Sequence, residues 1–293
     1  MELSWLEDFL ALAETGSFSR AAERRNLTQP AFSRRIRSLE TWTGATLFDR
    51  DARQVRMTLA GERFRPVAEE TLRRLIQVRE EVREVEGTVF STLRFACTHA
   101  LSLTFFPDWL RAIERTNPLG SIRLISESME LCEGLMHDGQ AQFMLCHQHA
   151  AAVPRLEPRG FLSLPQGDDV LIPVKSPEVA GELPGGEDAR LPYLAYSTES
   201  GLGRIVAAAR AKKDPPVWLE PVFTAHLATA LRAMALAGRG MTWLPLTLIQ
   251  ADLAAGRLVR AGGGEWDIAV EIRVYRPRHR LSAAAEAFWR ALI

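Results

Sequence analysis

Lysine is almost missing from this chain. It stands only at 175, 212 and 213, so positive charge is carried overwhelmingly by arginine. Cysteine is scarce too: three residues in 293, an odd number that does not make a disulfide framework. No apolar run approaches the roughly 18 residues a spanning helix needs. The N-terminus opens with acids and an amphipathic pattern, not the basic-then-apolar leader of a secreted protein. These absences predict a cytosolic protein with no membrane partner. The common enzyme signatures are absent as well: no Gly-x-Ser-x-Gly, no P-loop and no His-Glu-x-x-His. Gly262-Gly-Gly264 follows a helix and turn instead of a strand, and reads as a loop. A net charge of zero excludes a global pull toward nucleic acid or membrane.

What is present is local. Residues 17–56 hold nine arginines (20, 24, 25, 34, 35, 37, 50, 53 and 56) against four acids, whereas the first sixteen residues hold four acids and no base. A basic patch in a neutral chain points to one DNA-facing surface. A hydrophobic fraction of 47% with 25% charge is ordinary for a globular protein, and the length suits two or three units.

Residues 18–40 read as two short helices joined by a tight turn. The first runs from Ser19 to about Arg25, with Ala21 and Ala22 small enough for a close crossing. Asn26-Leu27 makes the turn, and Leu27 packs inward. Thr28 is placed to cap the second helix, and Pro30 near its start costs little, because an N–H there has no helical partner anyway. Phe32, Ile36 and Leu39 form one apolar stripe. The opposite face carries Gln29, Ser33, Arg34 and Arg37. This is the arrangement of a helix-turn-helix, whose second helix enters the DNA major groove. Gln29 can make a bidentate contact to adenine and Arg34 to guanine. Thr28, Ser33 and Arg37 are better placed for phosphates, which position the head without specifying sequence.

The flanking segments complete a head. Trp5, Phe9, Leu10, Leu12 and Ala13 recur at helical spacing, and Thr15-Gly16 stops that first helix. Gly44 closes the third. Residues 47–50 and 55–58 are short extended pieces around 51–54, a wing with Arg53 at its tip, where the negative minor groove attracts arginine. Thr58 then caps a long helix to about Glu86. Positions 68, 71, 75, 78, 82 and 85 alternate three and four apart, the seam of a two-stranded coiled coil; a single amphipathic helix packed on its own domain is the alternative. Pro66 removes one helical hydrogen bond near its start.

From residue 92 strands and helices alternate. Strands are expected at 93–97, 122–125, 143–146, 191–196, 221–224, 241–244 and 270–275, with extended segments in 160–175. Helices are expected at 102–115, 131–137, 203–212, 226–237 and 282–292. Such alternation implies parallel sheets, and two of them, with the chain crossing twice, make two lobes around a cleft.

Several motifs together, at fixed offsets, carry a family resemblance: Phe9-Leu…Gly16-Ser-Phe-Ser-Arg-Ala-Ala, Leu27-Thr-Gln-Pro-Ala-Phe-Ser-Arg-Arg-Ile-Arg-Ser-Leu-Glu, Gly44…Leu47-Phe-Asp-Arg50 and Leu59-Ala-Gly61. The chain resembles the LysR-type transcriptional regulators. Trp5-Leu6, Gln29–Arg37 and Gly240-Met-Thr-Trp-Leu-Pro245 are most similar to the branch containing the hypochlorite-responsive regulator. The resemblance implies an α+β multi-domain chain: a winged helix-turn-helix (1–58), a linker or dimerisation helix (59–87), and a two-lobed α/β effector domain like a periplasmic binding protein (88–293). Lobe I is expected at about 88–160 and 268–293, and lobe II at 161–267. It implies a homodimer or homotetramer on double-stranded promoter DNA in the bacterial cytoplasm, on the nucleoid when bound, with a small effector in the cleft, no enzymatic activity and no cofactor.

Strand-to-helix turns offer free N–H groups to anions. The candidates are Thr98, His99 and Ser102 after the first strand, Ser128 after the second and His147 at the end of the third. From lobe II come Ser197, Ser200 and Gly201, and then His226. By resemblance these loops line the family's cleft, with a carboxylate-bearing small molecule the default effector. Ordinary helix capping is the competing explanation for each of them. Cys97-x-His99 and Cys146-His147-x-His149 raise a metal or redox site, although both cysteines also read as small core residues and no metal site is assigned. Met129, Met136, Met144, Met234 and Met241 are the candidates for sulfoxide chemistry; the cleft turns hold the non-oxidisable Leu202 and Leu227. A remaining alternative is a cytosolic solute-binding protein with an incidental helical head.

Overall fold

The computed structural model describes residues 2–49, 55–85, 92–211 and 216–293. Its contacts divide the chain into two compact units, Met1–Val89 and Phe90–Ile293.

The first unit contains α1 (Leu3–Thr15), α2 (Phe18–Arg24), α3 (Gln29–Thr43), the two-stranded wing β1 (Phe48–Asp49) and β2 (Arg56–Met57), and α4 (Leu59–Val85). Glycine ends α1: Gly16, at φ 60°, takes the left-handed cap conformation that a Cβ would penalise. Asn26 adopts φ 54° between α2 and α3, a state asparagine tolerates better than most residues. The chain reverses there, and the Leu27 N–H returns to the Ala22 carbonyl at 2.9 Å. Leu6, Phe9, Leu12, Ala22, Ile36 and Leu39 form a buried core, with Phe18 and Leu27 packed against it. Phe9 also packs tilted against Phe48 of the wing and edge-on to Phe64 of α4, each at 5.1 Å between ring centroids.

Two capping expectations divide. Thr28 occupies the N-cap of α3 in extended conformation, but its hydroxyl makes no capping bond. Thr58 does cap α4, accepting from the Gly61 N–H at 3.1 Å. Glu40 pins the wing by accepting from the backbone N–H groups of Leu47 and Phe48. Along the α4 seam, Ala68 is buried under the head, whereas Leu75, Val78 and Val82 are about half exposed.

The second unit contains β3 (Leu93–Thr98), α5 (His99–Thr104), α6 (Phe106–Glu114), β4 (Ile122–Glu127), α7 (Met129–His137), β5 (Phe143–Gln148), β6 (Phe161–Lys175), β7 (Leu191–Tyr196), α8 (Gly201–Arg210), β8 (Leu219–Ala225), α9 (Ala228–Leu236), β9 (Thr242–Pro245), α10 (Leu246–Ala254), β10 (Val259–Arg260), β11 (Ile268–Pro277) and α11 (Ala283–Arg290). The single helix expected at 102–115 is two, broken at Phe105. Pro107 lies in the first turn of the second, where its missing N–H is harmless but could not have continued a helix from α5.

The sheets correct the all-parallel expectation. β3 pairs in parallel with β4 and β5, and β7 with β8. β11 is antiparallel to both β5 and β6, and β6 is antiparallel to β9 and β10. The reason is the crossing itself. β6 and β11 are the two long strands that pass between lobes, and each feeds both cores. Leu162 and Leu164 of β6 and Ile272 and Val274 of β11 pack with Phe95, Phe143 and Phe288 in lobe I. Leu171 and Val174 of β6 and Ile268 and Val270 of β11 pack with Leu194, Leu231 and Trp243 in lobe II. The register of β6 against β11 shifts between Ile272 and Arg273, just past the change of core. Such irregularities bend and twist a strand.

Candidate functional site

On the first unit, α3 exposes Thr28, Gln29, Pro30, Arg34 and Arg37 on one surface, with Ser33 half-buried beside them. Among the described residues, no side-chain bond or ion pair ties down Gln29, Arg34 or Arg37. Other arginines of the basic patch are occupied. Arg25 donates from Nε to Asp8 Oδ1 at 2.8 Å and pairs with Glu7; Arg35 reaches Asp8 Oδ2 at 3.3 Å. Arg24 pairs with Glu14, and Arg20 donates to the Thr15 carbonyl. The acids of α1 therefore neutralise the back of the patch and leave the α3 face positive. Asp8 is fully buried and was not anticipated as an organiser. Its signal in the sequence was its place four residues before Leu12, on the inward side of α1. Arg53, the expected wing contact, lies outside the described residues.

In the second unit the two lobes meet around a cleft. Thr98, His99, Ser128 and His147 enter it from lobe I, with Glu127 and Met129; Ser200, Gly201, Leu202 and His226 enter it from lobe II. Ser102 and Ser197 do not line it. The Ser102 hydroxyl is committed to Ser126 Oγ at 2.8 Å and to the His99 carbonyl, and the Ser197 N–H is spent on the Ala225 carbonyl. The void is about 30 Å³, room for one or two waters on the order of 10–30 Å³ each.

The polar groups of the cleft are set by local structure. Ser128 caps α7 and Ser200 caps α8, accepting from Leu131 and Gly203 respectively, so two helix N-termini open onto the void from opposite lobes. Among the described residues, the buried Thr98 hydroxyl has no partner. His99 is held through Nδ1 by Ser126 Oγ at 2.9 Å, and its ring stands 5.7 Å from that of His226 across the cleft. Burial lowers the His99 pKa; the Glu127 charge works the other way, and His226 adds to the lowering. His147 is buried, with Nε2 3.2 Å from Asp169 Oδ2. Asp169 also accepts from the Thr247 hydroxyl at 2.6 Å and from the Val170 N–H. Burial alone would raise the Asp169 pKa, but the hydrogen bonds from His147 and Thr247 hold it below the usual carboxylate range.

The lobes are tied directly. Arg204 of α8 donates from Nη1 to both oxygens of Glu133 of α7, at 2.8 and 3.0 Å. Gly201 packs so closely on Met129 that a Cβ there would stand 3.1 Å from it.

The thiols are ill-suited to a switch. Cys97, Cys132 and Cys146 are free and buried. Burial pushes all three pKa values up, that of Cys132 to about 12, and a protonated thiol is a poor nucleophile. Among the described residues, no group of three or more His, Cys, Asp or Glu side chains is arranged to hold a metal, and no helix is long and apolar enough to cross a membrane.

Comparisons with known proteins agree with this geometry. Residues 3–62 match the family model of the bacterial regulatory helix-turn-helix proteins of the lysR family, and residues 87–293 match the LysR substrate binding domain. The chain is 30% identical over 295 residues to the HTH-type transcriptional regulator YjiE of Escherichia coli K12, covering 100% of this chain and 94% of that one. It is similar to Vibrio fischeri DarR, solved in complex with DNA, at 28% identity and TM-score 0.56, covering 100% and 98% of the two chains. It is also similar to full-length HypT of Salmonella typhimurium, a hypochlorite-specific LysR-type regulator, at 28% identity and TM-score 0.57, covering 100% and 97%.

Proposed function

The chain belongs to the LysR family of DNA-binding transcriptional regulators, which are not enzymes, and from that premise we propose that its grip on promoter DNA is tuned by a small anionic effector held between the lobes. The cleft carries this reading. Two serine-capped helix N-termini face the void from opposite lobes, and N–H groups there favour negative charge. His99, His147, His226 and the unpartnered Thr98 hydroxyl supply donors of the same kind. Glu127 opposes them from the rim, so the site fits a mono-anion better than a dianion. A void of about 30 Å³ takes a few atoms; a larger carboxylate requires the lobes to part, and it then biases the open form.

DNA contacts are proposed for Gln29 and Arg34 on base edges, for Thr28, Pro30, Ser33 and Arg37 at the backbone, and for Arg53 on the wing. The proposed division is a head to residue 58, a linker helix to 87 and the effector domain beyond, assembled as a homodimer or homotetramer on the bacterial nucleoid in the cytoplasm. The test is a thermal-shift screen of the full chain with nitrate, formate, acetate and glycine, followed by promoter retention with each hit. An anion that raises Tm and changes retention is expected. No shift from any of them, with retention unchanged, removes the anionic effector and leaves the DNA-binding reading intact.

One observation supports a second reading, an oxidant response. Met129 lines the cleft and packs on Gly201 at the seam between lobes, and its sulfoxide would place a polar oxygen in a contact with no room for it. If this reading holds, hypochlorite changes promoter retention of the wild type and not of Met129→Leu.

A further inference from the structure

Behind the cleft, two ionisable side chains are buried against each other. His147 of β5 and Asp169 of the crossing strand β6 are 2% and 1% exposed, and His147 Nε2 stands 3.2 Å from Asp169 Oδ2. The carboxylate is fully engaged. Its Oδ1 accepts from the Val170 and Thr247 N–H groups at 2.8 and 3.3 Å, and its Oδ2 from the Thr247 hydroxyl at 2.6 Å as well as from the ring. Burial works against the charge on Asp169, but these donors keep it ionised, and an ionised carboxylate only accepts. The shared hydrogen therefore sits on His147 Nε2. His147 also lines the cleft, and the nitrogen left for a ligand there is Nδ1. Among the described residues, Nδ1 has no hydrogen-bond partner.

The ring has two states to offer. Neutral, it turns a bare lone pair toward the void; protonated, it turns an N–H. With the cleft empty, the protonated ring leaves a buried donor unpaired, which is costly. An anion reverses the preference, because it repels the lone pair and accepts from the N–H. The other titratable groups near the ring are His99, Glu127 and His226, around the void. On the neighbouring strand β11, Ile272 stands opposite His147, and Glu271 and Arg273 alternate to the other face. Asp168 does the same on β6. Glu133 of α7 and Arg204 of α8 are spent on each other, and α10 brings the uncharged Thr247.

We propose that His147 takes up a proton when an anion enters the cleft, and that Asp169 is the positioning residue that makes it do so. Asp169 fixes the tautomer of the ring and supplies the counter-charge for the imidazolium. The inference rests on the anionic-effector reading and adds its regulation. The anion-bound form holds one more proton than the empty one, so the grip on the anion strengthens as pH falls. The effect reaches lobe II. On protonation the His147–Asp169 bond has charge on both sides and strengthens, and the same carboxylate anchors Thr247 in the first turn of α10.

The test titrates the full chain with nitrate and with formate, neither of which takes a proton near neutrality, by calorimetry in two buffers of different ionisation heat. Binding is expected to draw about one proton per anion from the buffer, and affinity to fall about tenfold per pH unit above neutrality. His147→Gln is expected to bind more weakly and without uptake. Asp169→Asn, which keeps an acceptor for the ring but not its charge, should lose most of the uptake. His99→Asn and His226→Asn should bind more weakly with the same uptake per anion bound, which tests the assignment even if a buried variant fails to fold. Binding without uptake overturns the inference and leaves the anionic site standing. Uptake that persists in folded His147→Gln, or disappears in His99→Asn or His226→Asn, gives the proton to another ring and overturns it too. No binding of either anion removes the anionic reading, and this inference with it.

Discussion

At the scale of single residues, the difference between arginines proposed to read DNA and arginines that hold the head together lies in their partners. Arg34 is exposed on α3 with no side-chain bond or ion pair among the described residues, whereas Arg35, one position on, leans on the buried Asp8. Arg34→Ala is therefore expected to cost roughly 1–3 kcal/mol at specific sites and to relax the sequence preference, with the fold intact. Asp8→Asn is expected to lower thermal stability instead. Band-shift titrations on operator and random DNA, beside melting curves, separate the two; an Arg34→Ala protein with wild-type operator affinity would take that residue out of the readout. In the cleft, His99 has a lowered pKa because burial, reinforced by His226, disfavours its charged form against the pull of Glu127. The folded protein then binds fewer protons there than the unfolded chain, so stability from this group is complete above the ordinary histidine value and is lost as pH falls through it. Tm should drop between about pH 7.5 and 5, with a shallower drop in His99→Asn. Equal slopes in the two proteins would show that His99 does not feel the closed cleft.

At the scale of elements, α7 and α8 face each other across the lobe boundary through Glu133 and Arg204, whose side chains are 5% and 18% exposed. Removing Arg204 alone leaves a buried carboxylate with only a backbone donor, which costs roughly 3 kcal/mol, whereas removing both charges together is close to neutral. Arg204→Leu is thus expected to be strongly destabilised in urea melts, and Arg204→Leu with Glu133→Gln to recover most of the loss. Additive losses would mean that the ion pair is not what joins the helices. This contact could not be read from sequence, because 71 residues separate its members and nothing local marks either of them. The elements themselves were largely legible. The α1–α3 stripe, the Gly16 and Gly44 stops and the Thr58 cap follow from spacing and from residue chemistry, and the strands of the second unit follow from apolar runs. The direction of β6 and β11 did not follow, because the apolar spacing along a strand shows which of its faces is buried and not which way its neighbour runs. The cleft was partly legible: the strand-to-helix turns pointed to Ser128 and Ser200, but nothing local in the sequence marked Asp169 as the partner of His147, 22 residues away.

At the scale of the whole molecule, α4 leaves Leu75, Val78 and Val82 about half exposed at three- and four-residue spacing. A second copy of the same helix is the partner such a seam fits. The consequence for DNA binding is quantitative. Two linked heads bind two half-sites as one event, and the linkage raises affinity by about 10²–10⁴-fold over a single head without any new contact. The same linkage doubles the number of phosphates neutralised per binding event, so the slope of log affinity against log salt should be about twice that of one head. Leu75→Glu with Val78→Glu places like charges in the seam of both copies and is expected to give a monomer in sedimentation, folded, with operator affinity reduced by about that factor and a salt slope near half the wild-type value. A variant that sediments as a monomer yet keeps both the affinity and the slope would show that one head suffices, and that α4 does not deliver the second.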